Sequence, residues 1–412
     1  MVLALAETST DGTHGEAGSW GSIGLIYIYS ILAAISITKL NPLTADLERV
    51  FAATPKGIGF AISLTSVCSL VAATIGGVII DRVGARPAII VTSIIAVISN
   101  IIAFFAKSML MLDVARLIEG LEFIGIITAA PALLMSITSG ARRTKAMSLW
   151  STYIPVGCGL GFLLGGFFAG AHWRWIFLLH GGLFAIAACF GGLLPKRRPT
   201  PSSNATSRFA ELWSIYREVG PMRLSLAYLW ISVLAIGTGA VLPRYLAQTH
   251  HVSIAAASSM LALASCSAWI VAGIIAGLLL ARNWSTSLLY LVLTLVGAVS
   301  GFLMLAPWVS FLMVAALFFV WGLANGAGVA VIMSLLPQVV RDTRLGGAAS
   351  GLMLQVMSVG ALFTPPIFLS VLAKGNWTYL AIIVVACWVL SLVCLPAGRK
   401  APLNRQAAAS LH

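Results

Sequence analysis

This chain has little charge. Of its 412 residues, 9% are Asp, Glu, Lys or Arg and 59% are hydrophobic, for a mean hydropathy of +1.00. Soluble domains carry about 25% charged residues, so the composition excludes one and implies an integral membrane protein in contact with the lipid bilayer. Paired cysteines are missing too. Cys68, Cys158, Cys189, Cys266, Cys387 and Cys394 lie singly in apolar runs with no CxxC, which leaves no basis for a zinc site or a disulfide framework. The six histidines form no H-x-x-x-H or H-E-x-x-H set, and there is no P-loop. A membrane-embedded enzyme and an ATP-hydrolysing machine are therefore not expected, nor is any cofactor. The N-terminus lacks the basic stretch and longer apolar core of a signal peptide and reads as a short polar tail.

Long apolar runs are what the chain has in quantity. They fall near residues 21–40, 57–80, 86–106, 109–137, 145–170 and 174–194, then near 222–247, 253–281, 285–306, 308–337, 345–372 and 377–396. Each is long enough to cross a bilayer as a helix. The expected fold class is an all-α integral membrane protein with twelve transmembrane helices. The one long hydrophilic interruption, 195–221, divides it into an N-terminal six-helix bundle (1–195), a linker (196–220) and a C-terminal six-helix bundle with a short tail (221–412). Within the interruption, 208–218 has the pattern of a short amphipathic surface helix.

A formal charge of +13 suggests a nucleic-acid partner until its distribution is seen. Seventeen Lys and Arg residues fall on the side that holds both termini. Seven fall on the other: Lys39, Arg49, Lys56, Lys107, Arg174, Arg244 and Lys374. This asymmetry places both termini and the linker in the cytoplasm and makes the basic excess topogenic, so no nucleic acid is expected. The halves also repeat weakly. Gly120 is followed by Pro131, and Gly326 by Pro337 at the same interval, a register that sets Arg116 against Gly322 and Glu119 against Asn325.

Arg116, Glu119 and Glu122 stand out, because all three lie inside the fourth apolar run. A charge at the centre of a membrane helix costs about 2.5–3.5 kcal/mol on insertion scales, so three need partners or a water-filled cavity. Arg116 and Glu119 are spaced to pair within the helix at i,i+3. Glu122 has no obvious local partner, and low dielectric without one favours the protonated carboxyl. The three residues read either as a self-neutralised structural pair with one solvated glutamate, or as a central site for protons and substrate.

Between the second and third runs, Gly77, Asp81, Arg82, Gly84 and Arg86 spell G-x-x-x-D-R-x-G-x-R. With twelve spans and a central linker, this motif resembles the major facilitator superfamily, and the resemblance covers nearly the whole chain. It implies a secondary active transporter working by alternating access. In such proteins the aspartate helps latch the halves on the cytoplasmic side. Asp81 would then meet the start of the eleventh helix near 342–347, with Arg142 or Arg143 nearby, and Arg82 and Arg86 would belong to the same cytoplasmic gate. Arg116-x-x-Glu119-Gly120 is similar to the motif linked to proton coupling in the family's fourth helix. Gly157, Gly161, Gly165 and Gly166 follow the G-x-x-x-G-P-x-x-G-G pattern of drug–proton antiporters, with Phe162 in place of proline. Pro365-Pro366, and Tyr153 with Pro155, instead resemble the cyanate-permease and nitroimidazole-transporter branch. The arginine expected there in the first helix is absent.

Tyr27, Tyr29, Tyr153, Trp230, Trp321, Asn325 and Gln355 fall on spans that line the cavity in this fold, and His180 reads as a satisfied bundle histidine. Lys39 and Arg244 lie near outer helix ends, where such side chains snorkel to the interface. With Arg116 they would give the cavity a positive field. The expectation is thus a proton-coupled inner-membrane transporter of a small anionic or weakly acidic solute. The alternative is a drug–proton antiporter for lipophilic compounds. A monomer is expected.

Overall fold

The structure, a computed structural model, describes residues 19–196, 215–282, 284–340 and 346–396, with the side chains of 72–79, 81 and 346–348 also outside the description. Fifteen α-helices follow one another in these residues. The first half holds α1 (Trp20–Thr38), α2 (Thr44–Phe51), α3 (Pro55–Ser63), α4 (Thr65–Val83), α5 (Ala85–Phe104), α6 (Met109–Ile137), α7 (Gly140–Trp150), α8 (Tyr153–Phe168) and α9 (Trp175–Phe190). The second holds α10 (Val219–His250), α11 (Ile254–Ala281), α12 (Thr286–Leu303), α13 (Phe311–Val339), α14 (Gly346–Ala373) and α15 (Trp377–Cys394). Eleven helical segments among the described residues are long and apolar enough to cross a membrane. The remaining expected span is built by α3 and α4 together. The part of the expected surface helix before residue 215 lies outside the described residues.

Many helix starts follow directly from local sequence. Ser19, Thr54, Ser108, Ser253, Ser285, Ser310 and Asn376 each cap a helix with a side-chain oxygen that accepts a backbone N–H of the first turn. Such caps contribute about 1 kcal/mol each by satisfying an otherwise orphaned donor. Gly84 joins α4 to α5 at φ +96°, a conformation that a side chain rarely adopts, which explains that position of the D-R-x-G motif.

Two of the expected spans are interrupted. The run 145–170 breaks at Ser151–Thr152, between α7 and α8. Pro155 has no N–H for the Ser151 carbonyl, and its ring crowds that carbonyl, so a continuous helix is disfavoured. The run beginning at 57 breaks at Leu64, where the carbonyls of Ala61 and Ile62 accept from the Arg116 guanidinium at 3.1 and 3.3 Å. Arg116, itself fully buried, therefore satisfies last-turn acceptors of α3.

The helices form two bundles. In the first, α1 packs on α6 and α8, α5 on α6 and α9, and α4 on α6. In the second, α10 packs on α13, α14 and α15, α11 on α13, and α12 on α13 and α15. They meet through α8 against α11 and through α3 and α4 against α14. Small residues permit these approaches. A methyl group at Gly120 would lie 2.7 Å from the Thr65 carbonyl oxygen, and one at Gly326 would lie 2.9 Å from the Ala272 Cβ. The repeat seen in the sequence is thus a repeat of close helix packing. The glycines of α8 act likewise: Gly157 and Gly161 face α1, Gly165 faces Lys39 and Pro42 just beyond it, and Gly159 and Gly166 face α11.

Candidate functional site

Helix α6 brings Arg116, Glu119 and Glu122 onto one buried face, as i,i+3 spacing dictates. Arg116 and Glu119 pair within the helix, Nη1 with Oε2. The other Glu119 oxygen is taken by the ammonium of Lys39, which does not snorkel to an interface but is fully buried at the end of α1. Three acceptors surround Lys39 Nζ: Glu119 Oε1, Asn100 Oδ1 of α5 at 2.7 Å and His180 Nδ1 of α9 at 2.9 Å. An ammonium has three donors, so the set is complete. His180 Nε2 lies 2.9 Å from the Leu32 carbonyl, which only accepts. The proton therefore sits on Nε2, Nδ1 accepts from Lys39, and His180 is neutral. Arg116 Nη2 also donates to the Ser36 carbonyl at 2.9 Å. With the α3 carbonyls that Arg116 also reaches, five helices of the first bundle are tied together at this point.

Glu119 is thus shared by two cations. Glu122, equally buried, has no such contact among the described residues: its Oε2 accepts from Ser36 Oγ at 3.3 Å, and its Oε1 has no hydrogen-bond partner there. Lys39 and Arg116 supply two positive charges, Glu119 one negative. Ionised Glu122 balances the group, and protonated Glu122 leaves it at +1. The second bundle keeps the inter-helix link without charge. Asn325, the repeat counterpart of Glu119, donates from Nδ2 to the Ile231 carbonyl of α10 at 3.1 Å.

None of these charges lines the cavity of about 150 Å³ between the bundles. Its walls are Ile37, Ile154, Phe162, Trp269, Phe318 and Trp321 with a few neutral polar groups, Thr38, Asn41, Thr238 and Ser265 among them. Ser36 and Lys39 face the charged group while Ile37 and Thr38 line the cavity, so one turn of α1 is the wall between the two.

Of the aromatic and polar residues expected at the cavity, Trp321 lines it, stacked on Phe318 with centroids 5.6 Å apart. Tyr29 is buried against α9 and donates to the Ala187 carbonyl, and Tyr27 bonds Thr152 Oγ1 at 2.7 Å. Tyr153 is buried against Trp150, Asn325 is inside the second bundle, Trp230 is half-buried, and Gln355 accepts from Tyr216. Asn100 and Asn41 went unnoticed, although a lone asparagine within or just beyond an apolar run is a signal that both carry.

Arg244 does not face the cavity. It pairs with Glu48 of α2, joining the two bundles at the end away from the termini. Nearby, Asp46 Oδ2 accepts from the Gly170 N–H at 2.8 Å, so α2 is fastened to both the α8–α9 turn and α10. Arg244→Glu should open this end. A partly exposed pair is worth about 0.2–1 kcal/mol, so maleimide labelling of a Thr238→Cys reporter from that face should rise by up to about fivefold. Adding Glu48→Arg should restore the slow rate; unchanged labelling in Arg244→Glu would remove the pair from the gate.

At the opposite end, Arg86 donates to the Gly192 carbonyl at 3.0 Å, and Arg143 to the Thr138 and Met135 carbonyls at 2.9 and 3.0 Å, closing the C-terminus of α6. Arg142 lies over the Trp20 ring at 5.7 Å, and Arg82 is exposed. The Asp81 side chain lies outside the description, as do residues 342–345 and the side chains of 346–347 where its partners are expected.

A profile of the Major Facilitator Superfamily matches residues 26–242. Multidrug resistance protein 1 of Bacillus subtilis is 24% identical over 206 residues, covering 50% of this chain and 52% of its own. Quinolone resistance protein NorB of Staphylococcus aureus is 28% identical over 149 residues, 36% of this chain and 32% of its own. The chain spans about half or less of the length of these curated relatives. Two structures of a bacterial homologue of the human lysosomal transporter Spinster, inward-facing, occupied and unoccupied, superpose with TM-scores of 0.70 and 0.72 at 16% identity. They cover 90% and 91% of this chain and 94% of theirs. With a profile match over more than half its length and this two-bundle fold, the chain belongs to the major facilitator superfamily of membrane transporters.

Proposed function

We propose that this transporter exports uncharged lipophilic compounds in exchange for protons. The observation that carries the reading is the separation of charge from cavity. Lys39 and Arg116 are neutralised inside the first bundle by Glu119, Arg244 is held by Glu48, and the cavity walls are aliphatic, aromatic or neutral. A solute without charge fits such walls, since burying an ion there without a counter-charge is costly. The positive field that would favour an acid is absent from the lining. The names of the drug-resistance relatives support export and the antiporter branch.

Glu122 carries the proton in this scheme. A neutral solute leaving while one proton enters moves one positive charge inward per cycle, so both the pH gradient and the membrane potential drive it. Cells loaded with the neutral dye N-phenyl-1-naphthylamine and then re-energised should lose its fluorescence faster than vector controls, and nigericin should slow them. Equal loss in both strains, with uptake of labelled benzoate by the transporter strain, would replace this reading with the acid carrier.

The membrane is the cytoplasmic one, with both termini inside, as the basic residues indicate. Single cysteines at Ser285 and Thr54, both exposed, should be labelled only from the cytoplasm and only from outside, respectively. Labelling of Ser285→Cys from outside would invert the topology.

A further inference from the structure

We propose that Asn41 is the polar anchor of the cavity, taking a hydrogen-bond donor carried by an otherwise apolar aromatic substrate. This rests on the reading of the substrate as uncharged and lipophilic. Asn41 opens the 3₁₀ turn Asn41–Leu43 that follows α1, is 4% exposed, and lines the cavity. Its Oδ1 is buried with no hydrogen-bond partner among the described residues. Of the other polar groups of the lining, the two threonine hydroxyls donate within the protein, while Trp321 Nε1, a donor and not an acceptor, is also buried without a hydrogen-bond partner among the described residues. Thr38 Oγ1 donates to the Cys158 carbonyl at 2.7 Å, and Thr238 Oγ1 to the Leu234 carbonyl at 2.6 Å.

The surroundings of Asn41 suit a ring system. Gly239 on α10 leaves space beside it: a methyl group there would lie 3.6 Å from Asn41 Nδ2 and 3.3 Å from Phe162 Cζ. Phe162 and the stacked Phe318–Trp321 pair supply aromatic walls from both bundles. Apolar contact holds many shapes with little discrimination, whereas one buried acceptor rejects ligands that leave it unpaired. Asn41 also joins the bundles, because it belongs to the first and packs beside α10 of the second. A ligand bonded to it is therefore held where the halves meet.

The test is equilibrium binding to the purified full chain by calorimetry, using phenol, 1-naphthol and 1-hydroxypyrene, each against its methyl ether. Wild type should bind at least one hydroxy-arene about tenfold more tightly than its ether, the scale of one buried hydrogen bond. Asn41→Leu should bind both members of that pair alike, with the ether's affinity unchanged, which also shows that the cavity is intact. Asn41→Ser, which keeps an acceptor in a smaller side chain, should retain part of the preference. A preference that survives in Asn41→Leu and disappears in Ser265→Ala would overturn the assignment. Equal binding of alcohols and ethers by wild type would overturn it too, while leaving the lipophilic-substrate reading in place. Binding of none of the six compounds would overturn both.

Discussion

Glu122→Gln should abolish substrate movement driven by a pH gradient and leave exchange between equal substrate pools intact. Exchange requires the cavity and the conformational change but no net proton transfer. The amide is close in shape to the protonated carboxyl, so it holds the charged group at the +1 balance described above. The protein should therefore fold, because the only hydrogen bond to Glu122 among the described residues is the 3.3 Å contact from Ser36. Loss of driven transport should appear as a rate equal to that of empty vesicles. If Glu122→Gln vesicles respond to the gradient as wild type does, Glu122 is not the carrier.

Glu119→Gln should behave differently, and the first effect should be on stability. Its carboxylate is the shared counter-ion of Lys39 and Arg116, both fully buried. Removing it strands charge in low dielectric at a cost of about 3–5 kcal/mol. Driven transport and exchange should both fall, with less folded protein recovered. A second substitution identifies the cause. Lys39→Met removes one of the stranded cations, so Lys39→Met/Glu119→Gln should be less destabilised than the sum of the single changes, by about 1–3 kcal/mol of coupling. Additive losses in thermal unfolding of the four proteins would show that the two side chains do not act as a pair.

Much of the architecture is visible in residue order alone. Apolar runs at Met109–Ile137 and Ile254–Ala281 coincide with helices to within a residue, because a backbone in lipid must satisfy its own hydrogen bonds and has little choice but helix. The Arg116–Glu119 pair follows from i,i+3 geometry. The breaks were less visible. Pro155 marks one of them, whereas the break at Leu64 occurs where Arg116, more than fifty residues away in sequence, meets the carbonyls of α3.

What residue order established, then, is a twelve-span transporter fold with an ionised pair in its fourth span. Tertiary structure alone decided that Lys39, Asn100 and His180, from three other spans, complete that pair, and that Arg244 turns to Glu48. The reason lies in the solvent. In water a helix shows its buried face by amphipathic periodicity, but in a bilayer the faces toward lipid and toward the bundle are both apolar. Lys39 at a span end is compatible with an interface or with a core, and only the packing of α1 on α6 distinguishes them. The same packing puts Ser36 and Lys39 on one side of α1 and Ile37 and Thr38 on the other, which keeps the Glu122 carboxyl apart from the cavity.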